Sequence, residues 1–374
     1  MRNDIAIYST SAFTAGSYDL VLGREGGAER QMMLLARALA ERGHRVAHIV
    51  YPPPEPVKLS YPLELVPRGP YAGNRPVIGP LLEIRTIWRA LRAADARVVI
   101  VRSASPLVGV AAVYCKLTRS RLIFSSSNVS DFTLERMSGR VGRALYRLGL
   151  RLADAIVVQS DEQAALAKQV LGSLRRVPRI PSFAEPAPTT DDTRVGDAFL
   201  WFGRLVSYKQ PMRYVELART IPEARFIMIP VITNAGPGEM HEIRTAMGAV
   251  SNLELLDPLP HAELGTLIES VVAVVNTSVL EGMPNAFLEA WARGIPVLTL
   301  QFDPDDVVKR EELGVSAQGS WDHFVEGARE LWDGRSDRSV LARRLRAYVG
   351  ETHSMDAVGA QWSELIAEVG ARHR

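Results

Sequence analysis

Two apolar runs, Val271–Val275 and Ile295–Leu300, bracket the stretch TSVLEGMPNAFLEAWARG and constrain the fold more than any other part of the chain. Runs this short and this apolar fit parallel strands buried on both faces, with a short helix between them. Gly282 favours a tight turn, Pro284 suits the first turn of that helix, and Gly294 suits its C-terminal cap. Glu281 then lies in the loop at a strand's carboxyl end. Glu289, five residues beyond Pro284, lies about 7.5 Å further along the helix. The two carboxylates flank a helix N-terminus.

The open amides and positive end of a helix at a strand's carboxyl edge suit a phosphate group. A carboxylate on each side can accept hydrogen bonds from hydroxyls on the two sugars of a nucleotide-sugar, with its diphosphate between them. The same spacing also fits a plainer arrangement, with Glu281 capping the helix and Glu289 standing in solvent. Other parts of the chain have to separate the two.

At 374 residues the chain is long for one core, and two domains are expected. Its 47% hydrophobic and 23% charged content is that of a folded soluble protein. No apolar run is long enough to span a bilayer, and Met1–Tyr8 leads into a strand pattern rather than a signal peptide, so a cytoplasmic location is expected. The single cysteine, Cys115, excludes an internal disulfide and reads as a packed core residue. The net charge of +2 hides an asymmetry. Residues 1–190 hold 26 Lys and Arg against 15 Asp and Glu, a surplus of +11, and residues 191–374 hold 18 against 27, a deficit of −9. A basic first half suits an anionic partner such as a phospholipid surface, a lipid-linked phosphate or an acidic saccharide, and a soluble enzyme tolerates one as well.

In chain order, Ile5–Tyr8 is a strand, and a stretch rich in Ser, Thr and Gly leads to Gly26-Gly27-Ala28-Glu29-Arg30. Met32, Met33, Leu35, Ala36 and Leu39 then recur at helical spacing; Gly43 ends that helix, and Val46–Tyr51 is the next strand. Gly26 and Gly27 at the mouth of the helix let a ligand approach the backbone, or simply make a turn. Prolines 52–54, 56 and 62 mark a loop, and Tyr71–Pro80 is a second irregular stretch suited to acceptor contacts. A helix carrying Ile84, Ile87, Trp88 and Leu91 leads to the strand Arg97–Val101, and a helix over Leu107–Leu117 leads to the strand Leu122–Phe124. Ser125–Asp131 is then a polar loop at a strand's carboxyl end, where open α/β sheets place ligands; a helix cap by Asp131 fits equally. Arg136, Arg140, Arg143, Arg147 and Arg151 share one face if a single helix carries them, with Met137, Val141, Leu145 and Leu148 on an apolar side. That pattern suits an anionic membrane surface, and a solvated outer face as well.

A proline-rich segment with little periodicity marks a linker over residues 179–197, after which the strand and helix pattern restarts. This gives a first domain over 1–178, a second over 198–353, and a C-terminal helix within 354–374 packing near the domain junction. Ala198–Phe202 is a strand followed by Gly203-Arg204 and, five residues on from Arg204, Lys209.

These stretches together resemble the family 4 glycosyltransferases, whose α/β fold has two Rossmann-like domains facing across a cleft (the GT-B type). The resemblance covers nearly the whole chain. It rests on Gly26-Gly27-Ala28-Glu29-Arg30, on Phe202-Gly203-Arg204 with Lys209, and on Glu281-Gly282-Met283-Pro284-Asn285 with Glu289-Ala290 and Gly294-Ile295-Pro296-Val297. It implies that Gly26 and Gly27 form a donor-side glycine loop and that Arg204 and Lys209 hold the donor diphosphate. It also implies that Glu289 accepts from the ribose hydroxyls, that Gly282, Met283, Pro284 and Asn285 present backbone to sugar and phosphate, and that Glu281 lies by the transferred sugar as a catalytic group. The activity it implies is a retaining, hexosyltransferase-like one. A sugar moves from a nucleoside diphosphate-sugar to a saccharide or lipid-linked acceptor in glycan or polysaccharide biosynthesis. No cofactor and no metal are expected, since protein cations do the neutralising, and nothing points to nucleic acid. Asp303, Asp305 and Asp306 stand around Pro304 without a histidine and read as loop or cap residues.

The chain departs from that pattern in two places. Many relatives carry a histidine after the strand that is here Leu122–Phe124; this chain has Ser125–Asp131, which leaves Asp131 and Asn128 as the catalytic-side polar contacts. The usual Asn-Gly turn before the linker is replaced by Ile180-Pro181-Ser182-Phe183. Two alternatives therefore stay open: a catalytically silent nucleotide-sugar-binding or assembly protein of the same fold, and a phosphorylase or epimerase acting on related sugars.

Overall fold

A computed structural model of the chain describes residues 2–10, 27–52, 59–71, 78–133, 137, 139–172, 176–187, 195–231, 245–246 and 250–371. Gly26 and Arg136, both singled out above, lie outside the described residues. The chain divides into two units. The first takes in Glu25–Phe183 and Met355–Arg374 together with the N-terminal strand, and the second takes in Ala184–Ser354.

In the first unit the elements run β1 (Asn3–Tyr8), α1 (Gly27–Glu41), β2 (Val46–Val50), β3 (Glu64–Pro67), α2 (Gly79–Ala94), β4 (Ala96–Arg102), α3 (Leu107–Thr118), β5 (Arg121–Ser125), α4 (Ser130–Thr133), α5 (Arg140–Leu152), β6 (Ala155–Val157) and α6 (Asp161–Leu171). In the second they run β7 (Ala198–Arg204), a 3-10 turn (Ser207–Lys209), α7 (Pro211–Thr220), β8 (Arg225–Val231), β9 (Leu253–Leu255), α8 (His261–Glu269), β10 (Ala273–Asn276), α9 (Asn285–Ala292), β11 (Val297–Thr299), α10 (Val307–Arg310), β12 (Gly314–Ser316), α11 (Trp321–Asp333) and α12 (Ser339–Thr352). A last helix, α13 (Met355–Ala371), belongs to the first unit.

Each unit holds a six-stranded sheet, ordered β3-β2-β1-β4-β5-β6 in the first and β12-β11-β10-β7-β8-β9 in the second. Every pairing is parallel. Counted from its own first strand, each sheet has the order 3-2-1-4-5-6 of a Rossmann-like domain. The order reverses between β1 and β4 and between β7 and β10, so loops leaving the carboxyl ends of those strands part there and leave room for a ligand.

Strands buried on both faces explain why the sequence shows apolar runs rather than alternation. In the first sheet Ile5 and Ile7 pair in register with Val98 and Ile100, and they face Met32, Leu35 and Leu39 of α1 and Trp362 and Leu365 of α13. Ala6, Tyr8, Val99 and Val101 face the other way, against Ile87 and Leu91 of α2, Val108 and Cys115 of α3, and Tyr146 of α5. The second sheet repeats this. Phe199, Trp201, Phe226 and Met228 pack on one side, and Leu200, Ile227 and Ile229 pack on the other with Phe287 and Trp291 of α9.

Two local features differ from the sequence reading, and the C-terminal helix is given its packing partner. The segment after Pro178 still runs along β6: Ile156 N–H donates to the Arg176 carbonyl, Val158 N–H to Pro178 and Ile180 N–H to Val158. The first unit therefore extends to Phe183, and the second opens with Ala184 N–H donating to the His353 carbonyl. The C-terminal helix packs on the first unit through the Arg42–Asp356 and Arg176–Glu368 ion pairs and the His44–Ser363 bond of 3.0 Å. Finally, the arginine-rich helix begins only at Arg140, after Gly139 at φ +82°, so Met137 precedes it.

The arginine-rich helix also buries a different face from the one its apolar residues suggest. Tyr146, Gly149 and Leu150 are buried, whereas Val141 is 74% and Leu148 40% exposed, alongside exposed Arg140, Arg143, Arg147 and Arg151. Close backbone approach decides this. A Cβ on Gly109 of α3 would sit 2.3 Å from the Leu145 carbonyl oxygen, and one on Gly149 would sit 2.6 Å from the Val108 carbonyl carbon. The glycine face packs, and Val141 and Leu148 are left outside. Among the described residues no helix is long and apolar enough to cross a membrane.

Candidate active site

At the carboxyl edge of the second sheet, β7 runs into Leu205–Gln210 and β10 runs into Thr277–Pro284. Three bonds tie these loops together. Thr277 Oγ1 donates to the Lys209 carbonyl at 2.6 Å, Val279 N–H donates to the Tyr208 carbonyl at 2.9 Å, and Lys209 Nζ donates to Glu281 Oε1 at 2.5 Å. Thr277 is itself fixed from below by Trp201 Nε1 at 3.1 Å. Ser278 Oγ adds a second donor to Glu281 Oε1 at 2.9 Å, and Asn276 Oδ1 accepts from Ser278 N–H at 2.8 Å. Polar residues directly beyond an apolar strand thus hold the loop in shape.

Lys209 and Glu281, which the resemblance gives to phosphate and to sugar separately, form one ion pair with side chains 19% and 16% exposed. The stem of Lys209 lies across Gly203, where a Cβ would stand 3.4 Å from Lys209 Cδ. An ammonium carries three donors, so a pair with one carboxylate oxygen leaves capacity for a phosphate. Arg204 is exposed and donates to the Tyr208 hydroxyl at 3.3 Å, keeping its guanidinium at the same edge.

Glu281 precedes Gly282, Met283 and Pro284, and Asn285 opens α9. Pro284 stands at the N-cap, and no side chain caps the helix. The far end closes as the glycine implies, with Gly294 at φ +73°, Gly294 N–H donating to Trp291 and Ile295 N–H to Ala290. Glu289 follows on the same helix. Its side chain is 11% exposed, and its Oε2 is buried and accepts no hydrogen bond. His261 Nδ1 stands 3.9 Å from that oxygen, and His261 Nε2 is 2.7 Å from Glu185 Oε2. Leaving a buried carboxylate oxygen unsatisfied costs about 1–3 kcal/mol or more, and paired hydroxyls from a ligand would relieve that cost.

The first sheet's edge is built differently. Gly27 opens α1, whereas Gly26 lies outside the described residues. Asp131 is buried, and both its carboxylate oxygens are engaged. Oδ1 accepts from Ala104 N–H at 3.0 Å; Oδ2 accepts from Ser127 N–H at 2.6 Å, the hydroxyls of Ser126 and Ser127 at 3.1 and 3.0 Å, and Asn128 N–H at 3.3 Å. Asn128 Oδ1 accepts from Ser130 N–H at 2.8 Å and from the Ser130 hydroxyl at 2.5 Å. The two residues offered as polar contacts to a sugar thus bond the loop that carries them, and a sugar contact from Asp131 would come at the expense of these bonds. Asp303, considered for a metal, instead accepts from Val308 and Lys309 N–H at the start of α10.

Sequence reasoning did not find His261 or Glu185 beside Glu289, nor Arg102 at the end of β4. Glu185 falls in a segment that looks like plain linker. An arginine directly after the apolar run of β4 was the one available signal for Arg102.

Two Rossmann-like units in one chain, the second with a cross-linked cationic and carboxylate edge, define the two-domain GT-B class of α/β protein. Residues 25–186 match the family model described as Glycosyltransferase Family 4, and residues 196–333 match the model described as Glycosyl transferases group 1. The chain belongs to the family 4 glycosyltransferases. Its fold is similar to sucrose-phosphate synthase from Thermosynechococcus elongatus (TM-score 0.78, 16% identity, covering 99% of this chain and 100% of that one). It is also similar to Anabaena HepE in complex with UDP and glucose (0.74, 15%, 98% and 100%) and to WaaG, a glycosyltransferase involved in lipopolysaccharide biosynthesis (0.70, 16%, 97% and 99%). Glycosyltransferase 1 domain-containing protein 1 of Xenopus tropicalis is 25% identical over 126 residues, or 33% of this chain, and the match spans only 36% of that protein's length.

Proposed function

We propose that this glycosyltransferase moves a hexose from a nucleoside diphosphate-sugar to a saccharide or lipid-linked acceptor, with retention of anomeric configuration. The observation that carries the reading is the second unit's edge, where Lys209 and Glu281 bridge the loops of β7 and β10 and Glu289 holds a buried oxygen without a donor. In this account Arg204 and Lys209 neutralise the diphosphate, including charge developing on the leaving group, in place of a metal. Glu289 accepts from the ribose hydroxyls. Gly282–Asn285 and the start of α9 present amides to the phosphate and sugar, and Glu281 touches the transferred sugar while holding Lys209 in place. Gly26 and Gly27 keep the role of glycine loop that the family resemblance gives them, and loop 125–131 of the first unit, held in shape by Asp131 and Asn128, is the proposed acceptor-side element.

HepE is recorded with UDP-glucose, which makes uridine diphosphate-sugars the first donors to try. Purified protein incubated with a panel of nucleotide-sugars should hydrolyse or transfer at least one; no turnover and no nucleotide binding across the panel would remove the proposal. A second reading, a silent nucleotide-sugar-binding protein, is favoured by the self-satisfied Asp131 loop and would give binding without transfer. The exposed face of α5, with four arginines beside Val141 and Leu148, suits peripheral attachment to an anionic membrane at its inner, cytoplasmic face. Sedimentation with anionic vesicles checks this, and protein left in solution at low salt would exclude it.

A further inference from the structure

Arg102 ends β4, at the point where the order of the first sheet reverses, and its register partner on β5 is Ser125. Its Nη1 donates to Ser125 Oγ at 2.8 Å, whereas its Nε is buried and donates to nothing. Among the described residues it forms no ion pair. Asp131 and Glu29 act on it only through space, and the oxygens of Asp131 are taken by loop donors. Burial pulls the guanidinium down to about 10, which leaves it fully charged at neutral pH. Directly after it, Ser103 adopts φ +68° while its N–H still donates to the Ser125 carbonyl at 3.1 Å.

The pocket that Arg102 enters lies wholly within the first unit. Its polar wall is Ser125, Gln31, Gln159 and Ser182, its apolar wall includes Met32 and Trp362, and Arg102 is its one charged group. The enclosed space holds little more than one water-sized group, so it admits one oxygen of an anion rather than a sugar ring. A buried charge without a counter-charge is costly, and the same unit shows how a structural arginine avoids that cost. Arg68 is buried where Arg102 is half-buried, and it donates to the hydroxyls of Tyr8 and Tyr51 and to the Gly69 carbonyl while pairing with Glu83. Among the described residues Arg102 has the Ser125 hydroxyl alone, with no carboxylate and no carbonyl. What it leaves unused is its Nε and Nη2 edge, the side of a guanidinium that binds a carboxylate or phosphate in bidentate fashion.

The geometry points to Arg102 as the anchor of an anion subsite that takes a single carboxylate or phosphate group carried by the acceptor. That the anion belongs to the acceptor rests on the glycosyltransferase reading; the subsite itself does not. The surplus of basic residues in the first half of the chain acts in the same direction, drawing an anionic molecule to this unit.

Heteronuclear NMR on the full chain tests the subsite, with the Arg102 Nε–H resonance assigned by its loss in Arg102→Gln. Inorganic phosphate and methyl glucuronide are titrated separately at constant ionic strength, and the Ser125 amide is followed alongside. A saturating shift with phosphate identifies a phosphate-bearing acceptor, and one with the glucuronide identifies a carboxylate-bearing one. Arg102→Lys keeps the charge and loses the fork, so the Ser125 response should weaken roughly tenfold or more. No saturable shift with either anion up to tens of millimolar, or an undiminished Ser125 response in Arg102→Lys, overturns the subsite. UDP titrated into the same protein and read at the Gly282 amide keeps the two proposals apart. Loss of the UDP response alone counts against the glycosyltransferase reading, and loss of the anion response alone counts against the subsite.

Discussion

The two sheets share one strand order, yet the polar groups at their carboxyl edges are put to opposite uses. At the edge of the first, Asp131 accepts from five protein donors and Asn128 caps its neighbour, so the loop satisfies itself. At the edge of the second, Glu281 and Lys209 meet in a pair, Arg204 is exposed, and Glu289 keeps a buried oxygen open. Topology fixes where a ligand can sit. Unmet hydrogen-bonding capacity marks which groups await one, and by that measure the second edge suits the proposed donor, while at the first edge the open group is Arg102.

Lys209 separates the two edges most clearly. Lys209→Ala should lower kcat for transfer by about 10²–10³, the usual loss when a group stabilising developing charge is removed, a loss out of proportion to the drop in melting temperature that follows from leaving Glu281 without its cation. Asp131→Ala should do the reverse. With five donors stranded in a buried loop it should cost roughly 3 kcal/mol of stability, seen as an earlier denaturant midpoint, while nucleotide affinity stays put. An Asp131 variant with normal stability but no turnover would turn the comparison around and restore Asp131 as a contact to the reacting sugar. Gly149→Ala forces a Cβ into the Val108 backbone and should cost about 1–3 kcal/mol; a neutral result would show that the glycine contact does not set the α5 face.

A pH effect is expected from His48, which is fully buried on β2 and held down to about 3 by burial. Below its ordinary value of 6.5 the unfolded chain takes up a proton that the folded chain refuses. Stability is therefore whole above that value and falls as pH drops through the window toward 3, by roughly 1.4 kcal/mol per pH unit within it. Denaturant titrations between neutral pH and pH 4 check this, and His48→Asn should flatten the slope.

Much of this was legible in the sequence because buried parallel strands write themselves as apolar runs. Ala96–Arg102 and the stretch around Glu281 and Glu289 are plain cases. The glycine that closes α9 was legible for the same kind of reason, since a left-handed residue is needed there. The Lys209–Glu281 pair was not, because it depends on β7 lying next to β10, which no local pattern reveals. Nor was the buried side of α5, where close backbone approach outranks the apolar residues, nor the extension of the first unit to Phe183, which rests on backbone bonds to β6 within an unpatterned segment. Arg102 carries no local signal beyond following the apolar run of β4. Its unpartnered Nε is shared with other arginines of the chain, and what sets it apart is that it is the one charged group of a pocket and forms no ion pair among the described residues.

Glu289 is proposed to hold the ribose of a nucleotide in the second unit, and calorimetry with paired ligands measures that contact. With the nucleoside diphosphate that binds best, the wild-type chain should prefer the ribonucleotide to its deoxy counterpart by roughly tenfold. Glu289→Ala should bind both about equally and at the weaker level. A Glu289→Ala protein that keeps the wild-type affinity and preference would contradict the account.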